Sequence, residues 1–111
     1  MHEKIKLIAN HYGFEKQSRQ LSEECAEIIQ AVNKYHRYRD GLISNDDILA
    51  SREDNNLLIQ NIVEEIADVE VVLDQIKHLL NINNGEIEGI KERKINRQIQ
   101  RIEEENKNRM E

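Results

Sequence analysis

Two short segments of the chain carry acidic residues in the same arrangement. Residues 22–27 read SEECAE and residues 63–68 read VEEIAD. In each segment two acids lie three residues apart at matching positions: Glu24 and Glu27 in the first segment, and Glu65 and Asp68 in the second. Because residues at i and i+3 are neighbours on a helix, each pair presents two carboxylates on one edge. Oxygen ligands without His or Cys favour Mg²⁺, Mn²⁺ or Ca²⁺ over zinc, so the pattern predicts a site for a hard divalent cation.

Apolar residues surround both pairs at helical spacing. At about 100° per residue, Glu24 and Glu65 fall inside the apolar arc of their segments. Glu27 and Asp68 fall at the edge of these arcs. The remaining acids of the two repeats lie clear of the arcs and are expected to face solvent: Glu23 and Glu64.

Four carboxylates beside apolar surface need compensation. An ionised carboxylate is costly there, and four on facing helices repel one another. No Lys or Arg lies in either apolar arc, and Lys34, the nearest on the first segment, lies outside it. A cation bound between the two helices removes the difficulty. The alternatives are carboxylates lining a wet groove, or carboxylates holding basic residues of a partner.

Long helices are expected to position these pairs, since the chain has 111 residues, no proline and only four glycines. The predicted order is a helix over 3–12 ended by Gly13, a helix over 15–38, a loop over 39–56 with an optional helical turn at 48–50, a helix over 57–80, a turn over 81–85, and a helix over 86–108. This order predicts one all-α domain over 1–111: an antiparallel helical bundle of three long helices plus a short N-terminal helix, with a frayed charged tail over about 103–111. A chain this short buries a limited core, so we expect oligomerisation to complete the bundle.

Composition excludes several classes of partner. The net charge of −6 disfavours binding to nucleic acid, whose phosphates attract basic proteins. No apolar stretch reaches the roughly 18 residues of a membrane span. The single cysteine, Cys25, cannot form an internal disulfide, which fits a cytoplasmic location.

With ExxE at 24–27 and ExxD at 65–68, the chain resembles the MazG-like nucleoside triphosphate pyrophosphohydrolases of the all-α NTP pyrophosphatase superfamily. The resemblance covers roughly residues 15–100. It implies a homodimer or homotetramer that hydrolyses a deoxy or non-standard nucleoside triphosphate to the monophosphate and pyrophosphate, as nucleotide-pool housecleaning. It also implies Mg²⁺, or alternatively Mn²⁺, as cofactor, with metal ligands Glu24, Glu27, Glu65 and Asp68. Glu24 or Glu27 would also be catalytic, by orienting or deprotonating the attacking water.

Substrate contacts are predicted at two further places. In the family, basic residues after the ExxD helix often contact phosphates, which suggests Lys91, Lys94 and Arg97 here; a solvated basic face is the alternative. Gln17 and Gln20 precede the first acidic pair on its side of the helix and could touch base or sugar. Two other functions stay open: a non-catalytic helical module that binds nucleotide, metal or protein, and a plain antiparallel coiled coil.

Overall fold

Three α-helices make up the part of the chain that the computed structural model describes, residues 2–44 and 51–110. They are α1 (His2–Ser44), α2 (Ser51–Leu79) and α3 (Asn84–Met110). These two ranges contain no strand. The all-α helical class predicted from the sequence is confirmed. No helix in the described ranges is long and apolar enough to cross a membrane.

Helix α1 is interrupted at one residue, Gly13. Its φ of 82° and ψ of 171° are non-helical, while the chain is helical on both sides. An L side chain disfavours a positive φ, so glycine suits this position. The predicted break between a short and a long helix therefore occurs where expected, although the two helices follow each other without a loop.

The predicted loop over 39–56 is wrong at both ends. Residues 39–44 continue α1 and residues 51–56 begin α2. Polar residues cost a helix only a few tenths of a kcal/mol each, and a single glycine such as Gly41 costs about 1 kcal/mol, so these segments stay helical. The optional turn at 48–50 lies outside the described residues.

The turn between α2 and α3 follows the expected chemistry of asparagine. Asn81 adopts a positive φ of 55°, a conformation that asparagine tolerates better than most residues. Asn83 caps α3, because its Oδ1 accepts a hydrogen bond of 2.7 Å from the backbone N–H of Gly85. Helix α3 then continues to Met110, and fraying of its charged end stays a prediction.

The chain divides into two compact units, Met1–Leu80 and Asn81–Glu111. In the first unit, α1 and α2 pack as an antiparallel hairpin, because residues early in α1 contact residues late in α2, and residues late in α1 contact residues early in α2. Polar contacts between described residues join the helices, among them Asn10 with His78, Gln17 with Gln75, and Tyr35 with Asn55. The buried apolar residues are Ile5, Ala9, Ala31 and Val72. Two of these four are alanines, and small side chains let the two backbones approach closely.

Apolar side chains remain exposed along one face of the hairpin. Ile29 on α1 is 59% exposed and Ile66 on α2 is 41% exposed. Around the helix axis, Ile29 lies about 140° from Glu24, and Ile66 lies about 100° from Glu65 in the same rotational direction. Glu27 and Asp68 lie in the opposite rotational direction from Glu24 and Glu65. In an antiparallel pair this places the apolar face opposite the open side of the acidic residues. Helix α3, the second unit, has no buried residue in its described range. These faces support oligomerisation, which stays a prediction.

Candidate metal centre

Helices α1 and α2 bring the four repeated carboxylates together. Glu24, Glu27, Glu65 and Asp68 each offer an oxygen, and these oxygens all lie within 4.8 Å of one another. The antiparallel register places residue 24 opposite residue 65, because the Gln17–Gln75 contact lies on one side of the cluster and the Tyr35–Asn55 contact on the other. We call these four residues the acidic cluster.

The acidic cluster has a buried floor and an open rim. The floor consists of Glu24 and Glu65, which are half-buried, and the rim of Glu27 and Asp68, which are exposed. The Oε2 atoms of Glu24 and Glu65 are both buried and neither has a hydrogen-bond partner. A buried polar atom without a partner costs about 1–3 kcal/mol, and more if it is charged. A bound cation would satisfy both oxygens at once.

A neighbouring amide holds the other oxygen of Glu24. Nε2 of Gln20 donates a hydrogen bond of 2.7 Å to Oε1 of Glu24. The two residues are one helical turn apart on α1, so the bond forms within the helix. It leaves Oε2 as the oxygen of Glu24 that accepts no hydrogen bond from the described residues.

Electrostatic repulsion raises the pKa of Glu27 above its ordinary value near 4.5. The largest cause is the charge of Glu24, followed by loss of hydration and by the charge of Glu65. The protein therefore favours an added positive charge at this point, which either a proton or a metal ion supplies.

The surroundings of the acidic cluster suit a hard divalent cation. In the described residues, none of the four carboxylates forms an ion pair with Lys, Arg or His. Buried oxygens on the floor argue against a wet groove. Glu23 and Glu64 are exposed, as expected, and stay outside the cluster. All the donors are carboxylates, a set that suits Mg²⁺ or Mn²⁺.

The residues expected to contact substrate lie in different places. Gln17 is 93% buried, since only 7% of its surface is exposed, and it donates to Oε1 of Gln75. Gln20 holds Glu24, as described above. The predicted phosphate ligands are exposed on α3, in the second unit: Lys91, Lys94 and Arg97. A role of any of these residues in substrate binding stays a prediction.

Some residues around the acidic cluster were not singled out from the sequence. Gln75 is 3% exposed and forms the buried amide pair with Gln17, about two turns from the cluster. Lys16 and Arg19 line a groove beside Gln20. Helical spacing could have identified Lys16 from the sequence, because Lys16 and Gln20 lie on the same side of α1 as Glu27.

Comparison with known proteins adds no family to this geometry. No protein-family model, no curated protein and no solved structure matches the chain significantly.

Proposed function

We propose that this protein is a Mg²⁺-dependent nucleoside triphosphate pyrophosphohydrolase that converts its substrate to a nucleoside monophosphate and pyrophosphate. One observation carries the proposal: four carboxylates meet within 4.8 Å, and two of their oxygens are buried without a partner. A cation held in this way would leave its outward side to the phosphate oxygens of a nucleotide. The resemblance of the two acidic repeats to the MazG-like pattern points to the same reaction. A deoxy or non-standard nucleotide is the proposed substrate.

The divalent ion would neutralise charge on the phosphate oxygens as the phosphoanhydride bond breaks. The floor residues Glu24 and Glu65 have the buried, unpartnered oxygens and are therefore the firmest proposed ligands. Glu27 is exposed at the rim, so it is better placed than Glu24 to accept a proton from the attacking water. The water oxygen then joins phosphorus, and pyrophosphate leaves with the electron pair of the broken bond.

A panel of nucleoside triphosphates with pyrophosphate detection tests the proposal. The wild-type chain should release pyrophosphate from at least one nucleotide with Mg²⁺, and release should stop when EDTA is added. Glu65→Gln and Asp68→Asn keep the side-chain shape but remove a ligand charge, so both should lose at least about a hundredfold in rate. Glu64→Gln is the matched control, because this residue is exposed on the same helix outside the acidic cluster.

Folding of each variant is checked by its helical circular dichroism. Retained activity in folded Glu65→Gln would overturn the proposal, as would the absence of pyrophosphate release from every nucleotide. Binding of Mg²⁺ and nucleotide without product would instead identify a non-catalytic binding module.

A further inference from the structure

A groove of about 460 Å³ lies beside the acidic cluster on α1. Its lining residues are Tyr12, Lys16, Gln17, Arg19, Gln20 and Glu23. The groove adjoins the cluster through Gln20, whose amide bonds Glu24, and through Glu23, which precedes Glu24 in the chain. We call it the Lys16 groove.

The Lys16 groove opens on the same side of α1 as the rim of the acidic cluster. Eleven residues separate Lys16 from Glu27, which is about three helical turns, so both side chains leave the helix in nearly the same direction. Lys16 and Glu24 are separated by about 12 Å along the helix axis. The ammonium of Lys16 lies beside Tyr12, on the side away from the acidic cluster, and its flexible four-carbon stem lets it turn toward a ligand at the cluster.

Two cations of the Lys16 groove have no carboxylate partner. Within residues 2–44 and 51–110, neither Lys16 nor Arg19 forms an ion pair. Three other lysines do pair with an acid three residues earlier on their helix: Lys6, Lys77 and Lys91. Nζ of Lys16 instead lies 5.8 Å from the centre of the Tyr12 ring. The ammonium group thus already covers one face of the ring, which favours an anionic occupant over a stacked base.

Charge balance at the acidic cluster requires such cations. One divalent ion neutralises only half of the charge of four ionised carboxylates. A phosphate chain beside it would meet the remaining negative charge, which opposes binding unless nearby cations offset it. Lys16 and Arg19 belong to the same compact unit as the cluster and precede Glu24 by about two turns of α1 or less.

We propose that the Lys16 groove binds the phosphate chain of the substrate, with Lys16 and Arg19 as its cationic ligands. This inference rests on the proposed function, because a metal ion held by the acidic cluster would bind the other end of the phosphate chain. It places phosphate recognition on α1, ahead of the first acidic pair.

Inorganic tripolyphosphate is the probe, since it carries the phosphate chain without base or sugar. The affinity of tripolyphosphate for the intact protein is measured by calorimetry with Mg²⁺ present. Lys16→Ala/Arg19→Ala should weaken binding about tenfold or more, because it removes two charged hydrogen-bond donors from the phosphate chain. Binding of Mn²⁺ alone, followed by electron paramagnetic resonance, should change less than about twofold.

Lys107→Ala/Arg109→Ala is the matched control. It removes the same two charges from exposed positions near the end of α3 and should leave tripolyphosphate binding unchanged. Lys16→Gln/Arg19→Gln repeats the test if the alanine variant fails to fold. An equal loss in the control would show a general effect of net charge and overturn the inference, as would full affinity in both groove variants.

Failure of this inference is distinguishable from failure of the proposed function. If the wild-type chain releases pyrophosphate and the groove variants keep its KM, the groove assignment is wrong and the hydrolase stands. If tripolyphosphate binds through Lys16 and Arg19 but no nucleotide is hydrolysed, the groove stands and the hydrolase is wrong.

Discussion

Replacing Glu65 with glutamine should stabilise the metal-free protein and remove much of the stabilisation that Mg²⁺ provides. The oxygens of Glu65 and Glu24 lie within 4.8 Å of each other. Two unit charges at this separation repel by about 1 kcal/mol at the dielectric constant of water and by about 3.5 kcal/mol at a value of 20. Glu65 is half-buried, so its repulsion falls between these limits. The amide keeps the side-chain shape, and we expect Glu65→Gln to raise the metal-free free energy of unfolding by about 1–3 kcal/mol.

Mg²⁺ should reduce or cancel this advantage of the variant. At a concentration one hundred times its dissociation constant, the ion stabilises the wild-type protein by about 2.7 kcal/mol. If Glu65→Gln binds Mg²⁺ tenfold more weakly, it gains only about 1.4 kcal/mol under the same conditions. A higher metal-free stability of the variant together with a smaller stabilisation by Mg²⁺ separates a ligand from an ordinary structural carboxylate, whose loss would destabilise both states.

Urea unfolding at one fixed protein concentration, in EDTA and in Mg²⁺, measures both effects. Glu64→Gln makes the same charge change outside the acidic cluster and should stay within about 0.5 kcal/mol of wild type in both buffers. The reasoning fails if metal-free Glu65→Gln is less stable than Glu64→Gln. It also fails if Mg²⁺ stabilises the two variants equally.

Three further outcomes are expected. The raised pKa of Glu27 means that the folded protein holds this proton more tightly than the unfolded chain, so the metal-free free energy of unfolding should fall as pH rises from about 4.5 through the raised pKa. Glu27→Gln should reduce this pH dependence in urea unfolding, and an unchanged pH dependence would contradict the prediction. Gln17→Leu should lower the free energy of unfolding by about 1–3 kcal/mol, because it leaves the amide of Gln75 buried and unpaired. The double variant Gln17→Leu/Gln75→Leu should lose less than the sum of the two single variants, and strict additivity in urea unfolding would exclude a coupled pair. Ile66→Asp, on the exposed apolar face, should lower the mass measured by sedimentation equilibrium, and an unchanged mass would remove this face from any subunit interface.

The acidic cluster was predictable because helical geometry alone decides which residues share an edge. Glu24 and Glu65 lie inside their apolar arcs, and the same positions are half-buried in the hairpin. Glu27 and Asp68 lie at the edges of the arcs and are exposed at the rim. Packing of the two apolar arcs turns both acidic pairs toward the same interface, whereas the axial register that brings them level is shown only by the structure.

Helix ends and polar contacts between helices were harder to predict. Asn, Asp and Ser favour loops only weakly, so the polar segments at 39–44 and 51–56 gave a misleading signal. The Gln17–Gln75 pair depends on the axial register of two helices, which no local pattern specifies. The helical period of α3 likewise identifies a basic stripe at Lys94 and Arg97, but not the surface that this stripe faces.

All four carboxylates belong to one helical hairpin, and this has a consequence for how the chain folds. Glu24 and Glu65 are separated by roughly forty residues of chain, so an ion that binds both closes a long loop, as a disulfide would. Such a cross-link is reversible and forms only when the two helices are already in register. Cellular Mg²⁺ would then select the correctly paired hairpin from among slipped alternatives, and the ion would assist assembly of the protein before any nucleotide arrives.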